Sequence, residues 1–299
     1  MANTLVNVNV AQIADRTMDH LGLSMFPVTA MGTDFSDEIK NEGESVKTRL
    51  PGSVTVSNLA NGYTPSDVSN TGVTVNLDQF WGPVFAFTDL EASKAGNVMW
   101  LRDNFIEPAV EALLDKIMQT FFELVVSANY SNSKVITDAN FDSDELATLG
   151  GDLTTLKVPK SNRALIVPPS YYTGLVKDSV IEDMSAFGDN EAIKNGEVRK
   201  ARGFRIYEYG SIPNNSQNLA GFVCHRSAMA FAARAVVDPT LIDGNAPVGV
   251  ENRVDPVTGL PIQFRVWYDG NAGKFKFSMG TLWGVAKGQG NGLKRILSA

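Results

Sequence analysis

Across residues 98–127, apolar side chains recur three or four apart: Ile106, Val110, Leu113, Ile117, Phe121 and Leu124. At 3.6 residues per turn these positions share one face, which predicts a single long amphipathic helix, a spine for the domain around it. Pro108, in its early part, marks either the first turn, where a missing N–H is harmless, or a kink in a helix that begins near Asn97. The opposite face carries Asp103, Glu107, Glu111, Asp115 and Glu123, with Gln119 in the gap and only Arg102 and Lys116 nearby to offset them. Like charges four apart destabilise a helix by a few tenths of a kcal/mol per pair. The simpler expectation is a solvated face; the sharper one is that cations from another segment or subunit lie over it. Met118 and Phe122 also fall toward that polar side, so the pattern calls for a cover over them.

A period of two appears over 43–87, where Val46, Val54 and Val56, and then Val73, Val75 and Leu77, alternate with polar residues around Asn61-Gly62 and Pro65. This predicts a long two-stranded ribbon. An isolated hairpin buries too little apolar surface to offset its ordering entropy, so the ribbon needs a support, and the acidic spine face is a candidate partner for its Lys47 and Arg49. Ahead of it, residues 10–23 form a short amphipathic helix ended by Gly22. Asp34, Asp37, Glu38, Glu42 and Glu44 then make an acidic linker, and the whole reads as an arm that docks elsewhere.

Thr88-Asp89-Leu90-Glu91 has capping-box spacing and predicts a helix start, with Gly96 interrupting before the spine. Beyond the spine the pattern gives a short turn at 145–149 ended by Gly150-Gly151, a strand at 164–167, and a helix over 171–177 capped by Ser170. A strand around Phe204 and Ile206, a strand at 221–224 and an alanine-rich helix over 227–234 follow. From Pro247 onward the pattern is all strand, with runs at 262–268, 274–279 and 282–286, then a flexible joint at Gly288–Gly292 and a tail. Short connections between mixed elements fit an α+β fold.

At 299 residues and 43% hydrophobic, the chain has material for one large or two modest domains. A net charge of −7 argues against wrapping DNA or docking on an anionic membrane through the whole surface. Cys224, the single cysteine, excludes an internal disulfide. The start of the chain lacks the basic and apolar blocks of a secretion signal, and no apolar run reaches the ~18 residues of a membrane span, so a soluble protein made in the cytoplasm is expected.

Motifs for catalysis are missing: there is no phosphate loop, no His-Glu-x-x-His and no Cys-x-x-Cys. The glycines of 288–292 lack the following helix that a dinucleotide site needs. Cys224 and His225, as strand neighbours, point to opposite faces, and His20 is the other histidine. The Ser-x-x-Lys spacing of Ser131 and Lys134 sits in a polar loop rather than on a helix. Arg199, Lys200, Arg202 and Arg205 are the one basic concentration, read as a solvated turn and strand edge in preference to a phosphate patch. No catalytic, cofactor-binding or metal-ligating residue is assigned.

Several segments, taken in order, are similar to a known family. Residues 43–51, with Gly43-Glu44-Ser45-Val46 and Arg49-Leu50-Pro51, resemble the Gly-acid-Ser/Thr-Val and Arg-x-Pro run that opens an extended loop in many phage coat proteins. Residues 73–78 to Phe87-Thr88-Asp89 resemble its return strand, and Val158-Pro159 with 163–168 resembles the strand that leads into an axial domain. Residues 203–207 and 221–230, then 255–260, Tyr268-Asp269 and Leu282-Trp283-Gly284, resemble the central and closing parts. The family is that of the major capsid proteins of tailed bacteriophages, the Hong Kong 97 fold, shared with encapsulin shells.

That resemblance implies an α+β chain with an N-terminal arm (1–42), an extended β-hairpin loop (43–87), a peripheral domain with the spine helix (88–135), an axial domain (136–246), and closing strands with a tail (247–299). It implies a non-enzymatic protein that self-assembles, as pentamers and hexamers, into an icosahedral shell around double-stranded DNA. The shell would belong to the virion and assemble in the host bacterial cytoplasm, with no membrane contact. The lysine, asparagine and glutamate of the namesake's covalent cross-link cannot be aligned here, so a non-covalent shell is expected. No long helical block precedes the arm, so a separate scaffolding protein is expected, together with a portal, and the acidic balance implies that packaged DNA is contacted weakly. Lys47 and Arg49 of one subunit are expected to approach the Glu107, Glu111 and Asp115 side of the next. An encapsulin-like compartment has the same fold and is the alternative; an α+β small-molecule enzyme is a further one, disfavoured because no titratable groups converge in the sequence.

Overall fold

The computed structural model describes residues 28–34, 45–50, 58, 71–94, 98–179, 198–238, 248–254 and 259–299. The helix expected at 10–23, most of the acidic linker and most of the ribbon's tip lie outside the described residues. In chain order the strands begin with β1 (Gly32–Asp34), β2 (Ser45–Leu50), β3 (Thr71–Asn76), β4 (Gln79–Trp81) and β5 (Val84–Thr88). After the spine come β6 (Ser133–Val135), β7 (Arg163–Val167), β8 (Lys200–Ala201), β9 (Phe204–Glu208) and β10 (Leu219–His225). The last five are β11 (Met229–Arg234), β12 (Val248–Val254), β13 (Pro261–Asp269), β14 (Lys274–Lys287) and β15 (Leu293–Leu297). One sheet runs β1-β11-β14-β13-β12 with β4 and β5 also on β14; a second runs β6-β15-β10-β7-β9-β8; β2 and β3 form a separate ribbon.

The spine helix spans Val98–Glu123 and continues through Pro108. Val110, Leu113, Ile117 and Phe121 are buried, as their spacing predicts. Met118 and Phe122 are buried as well, and their cover comes from this chain. The Phe121 ring centroid lies 5.4 Å from that of Phe231 on β11, in the first sheet, while Phe122 lies 5.8 Å from Phe222 on β10, in the second. The helix is wedged between two sheets, so its buried stripe is wider than one sheet would require. The far side of the second sheet is covered by the Ser143–Thr155 and Pro169–Val176 helices, through Leu146, Leu149, Leu153, Tyr171 and Leu175.

Several local readings are corrected by tertiary packing. The Ser143–Thr155 helix runs through Gly150-Gly151 instead of stopping there. It starts on Asp142, whose side chain accepts from the Asp144 and Glu145 amides, and a Cβ on Gly150 would press to 3.3 Å from the Phe204 ring. The Pro169–Val176 helix begins one residue before Ser170, on Pro168, without a side-chain cap. Residues 229–234, expected to be helical, are strand β11, entered through a single 3₁₀ turn at Arg226–Ala228. β11 is paired on both edges, parallel to β1 and antiparallel to β14, and this pairing overrides alanine's helical preference. The run expected to break at Gly280 is one 14-residue strand, β14. The expected flexible joint and tail instead lead into β15, an interior strand between β6 and β10 whose Leu293 and Ile296 are buried.

The capping box forms as read: the Thr88 amide donates to Glu91 Oε2 (2.8 Å), and the Glu91 amide to Thr88 Oγ1 (3.2 Å), opening the Asp89–Lys94 helix.

The segment read as the extended loop, 43–87, divides in two. β2 and β3 form the ribbon, but β4 and β5 belong to the body, paired with β14. At Leu282–Lys287, β11 holds one edge of β14, so β4 takes the other; β13 and β5 then flank Lys274–Ser278. β4 and β5 pair with β14 in one continuous register, Trp81 opposite Thr281 and Val84 opposite Ser278, and the link between them presses on the β14 backbone at Gly82. A Cβ there would lie 1.9 Å from the Met279 carbonyl oxygen, which only glycine avoids. The ribbon's root is seated in the same way: Val73 and Val75 pack on Ala230 and Ala232 of β11 beside Ala286, and Asn76 passes so near Gly284 that a Cβ would meet its carbonyl oxygen at 1.8 Å.

Candidate inter-subunit surface

Lys47 stands opposite Thr74 in the ribbon, and both are exposed on the face away from the seated Val73 and Val75. Lys47 makes no hydrogen bond or ion pair among the described residues. Arg49 is placed by its backbone opposite Gly72; its side chain and that of Glu107 lie outside the described residues. Glu111 and Asp115 are exposed on the spine helix. Asp115 Oδ1 accepts a 2.6 Å bond from Tyr209 Oη, whose pKa is raised by burial and then by that carboxylate. Lys116, the nearest cation in sequence, has its Nζ 4.8 Å above the Trp81 ring. Within one chain the expected basic and acidic positions thus lie on separate elements, the ribbon and the spine helix.

The pattern reading missed a strip of exposed apolar residues on β4 and β5. Phe80 is 60% exposed, Trp81 52% and Val84 65%, beside a groove lined by Gly82, Val236, Arg265 and Met279. Phe105 of the spine helix is also exposed, 5.7 Å from Phe87 by ring centroids. The available signal was the run from Phe80-Trp81 to Phe87, too apolar for a ribbon exposed on both faces. Exposed apolar residues grouped beside a groove make this strip a candidate interaction surface.

Elsewhere, the chemistry suggested by residue type is otherwise engaged. Cys224 is buried, and burial pushes its thiol up to about 12. His225 lies 2.8 Å through Nδ1 from Ser227 Oγ, and burial, then the Arg163 charge, lowers its pKa. Lys134 is paired with Glu145. Arg199, Lys200 and Arg205 are exposed at the β8–β9 edge, while Arg202 approaches Asp144 at 3.6 Å. Among the described residues, no three His, Cys, Asp or Glu side chains are grouped to hold a metal, and no helix is long and apolar enough to cross a membrane.

No protein-family profile matches the chain, and no curated protein matches it in sequence. Solved structures do match its fold. One from Mycobacterium phage Che8 shares 18% identity at a TM-score of 0.59, over 89% of this chain and 88% of that one. The capsid structure of cyanophage P-SCSP1u matches at 15% identity and a TM-score of 0.62, over 90% and 86%. A virus-like particle from Pyrococcus furiosus matches at 11% identity and a TM-score of 0.55, over 96% and 98%. The chain therefore has the α+β architecture of the Hong Kong 97-type capsid proteins, as its ordered segments resemble.

Proposed function

We propose that this protein is the major capsid protein of a tailed bacteriophage, a structural rather than catalytic chain that self-assembles into an icosahedral shell around double-stranded DNA. The observation that carries this reading is the likeness, over nine-tenths of the chain, to the cyanophage capsid structure. A ribbon seated at its root, with an exposed outer face, and the uncovered strip at Phe80, Trp81 and Val84 support it, since both are surfaces for further copies of the chain.

In this reading the spine helix and the β14 sheet form the peripheral domain, and the second sheet with its two helices forms the axial domain that meets neighbours in pentamers and hexamers. Lys47 and Arg49 of one subunit lie over the Glu107, Glu111 and Asp115 side of the next. A scaffolding protein and a portal are separate chains, packaged DNA is contacted weakly, and the shell forms in the host cytoplasm before it serves in the virion. Reversing both basic charges (Lys47→Glu with Arg49→Glu) should leave the subunit folded and abolish large particles in sedimentation. Adding Glu111→Lys and Asp115→Lys should restore them. Unchanged particles at unchanged salt sensitivity in the first variant would remove this contact.

A second reading, an encapsulin-like compartment, is favoured by the Pyrococcus furiosus particle, matched over nearly the whole of both chains. Shells that form without a scaffold and enclose an enzyme would select it. Particles that fill with DNA through a portal would exclude it.

A further inference from the structure

We propose that the cleft between the Ser143–Thr155 helix and the Arg202-Gly203 turn binds a compact oxyanion, a phosphate-like or carboxylate group. The cleft, of about 420 Å³, is lined by Lys160, Arg163 and Arg202 with no acidic residue among its lining, over a floor that includes Gly150, Gly151 and Gly203.

Arg163 supplies the first reason. It is only 5% exposed, yet its guanidinium meets neutral acceptors alone: Nε donates to Pro159 O (2.8 Å), Nη1 to Gly150 O (2.8 Å), and Nη2 to Val158 O (2.7 Å) and Thr154 Oγ1 (3.1 Å). Four of the five N–H groups are used, and none reaches a carboxylate. Burial lowers its pKa, as expected of a cation without a counter-charge. Lys160 has no partner among the described residues, and Arg202 meets exposed Asp144 at 3.6 Å. Three cations, less Asp144 and the half charge of a helix C-terminus, leave about +1.5 at the cleft.

The turn supplies the second. Lys200 pairs with Arg205 and Ala201 with Phe204, so Arg202 and Gly203 are the two residues of a tight hairpin turn, both at positive φ (48° and 87°). Asn, Asp or Gly ordinarily fills the first of these positions; an arginine there is held in a left-handed conformation at ~1 kcal/mol. This places a cation at the cleft where a better turn former would serve the hairpin alone. A Cβ on Gly151 or Gly203 would touch nothing within 4 Å, so the floor is open space rather than close packing.

The oxyanion has two sources, a free ion or an acidic side chain of a neighbouring copy; only the second rests on shell assembly. Calorimetric titration of the unassembled subunit with inorganic phosphate, against chloride at equal ionic strength, should show saturable one-to-one binding. Lys160→Gln with Arg202→Asn, the latter chosen because asparagine suits the turn, should weaken it at least tenfold, and Asp144→Asn should tighten it. Retention of phosphate binding in assembled particles identifies a free ion; its loss on assembly identifies a neighbour's carboxylate. No saturable binding to the subunit, or binding unchanged in the double variant, overturns the site whatever the particles do.

Discussion

Single residues with no freedom of choice lie where the chain is pressed against the backbone of its own long strand. At Gly82 and Gly284 an added methyl would collide with backbone, the Met279 and Asn76 carbonyl oxygens, and backbone cannot rotate away as a side chain can. Gly284→Ala should therefore destabilise the subunit by about 3 kcal/mol, measured as a shift in the urea midpoint. A neutral effect would mean that the ribbon root does not lie on β14. Cys224 makes a different claim. Its thiol titrates near 12 when folded and near 9.0 when unfolded, so above pH 9 the unfolded chain has lost a proton that the folded chain keeps. The unfolded state then binds fewer protons, and stability falls as pH rises, by ~1.4 kcal/mol at pH 10. Below about pH 8 the group contributes almost no pH dependence. Urea unfolding at pH 8, 9 and 10 should show this decline, and Cys224→Ala should reduce it, leaving the smaller fall at pH 10 that the raised Tyr130 and Tyr209 hydroxyls contribute.

At the level of elements, the spine helix joins the two sheets, and its most exacting contact is Phe122, buried between Phe222 and Tyr209. Phe122→Ala should cost ~4 kcal/mol, against less than 1 kcal/mol for the exposed neighbour Glu123→Ala, both read from urea unfolding. The spine, the ribbon strands and the capping box were legible because each rests on local signals: a 3.6 period, a 2.0 period and a hydroxyl three residues before a glutamate. β11 was not, because its alanines are chosen by what lies across them. Small residues at Ala230, Ala232 and Ala286 leave room for Val73 and Val75, a demand set by residues more than 150 positions away. β15 was illegible for a related reason, since its place between β6 and β10 depends on partners from two distant segments. For the candidate surface, the charged positions were found, but the Phe80-Trp81 strip emerged only once β4 and β5 were assigned to the body.

For the molecule as a whole, the proposed shell would use two exposed surfaces, the outer face of the ribbon and the apolar strip beside β14. Replacing Phe80 and Trp81 together by serine should leave unfolding of the isolated subunit nearly unchanged, because both side chains are half exposed or more. The same change should suppress large particles in sedimentation. The proposed shell is also non-covalent, so boiled particles should run on a denaturing gel as a single 32.3 kDa band with no ladder of cross-linked chains. The most direct measurement is electron microscopy of the full chain expressed with a candidate scaffolding protein. Closed icosahedral shells, with pentamers and hexamers in which each ribbon lies across the adjacent subunit, are predicted. A compact monomer or small oligomer under every condition, with the ribbon folded along its own body, would contradict the proposal.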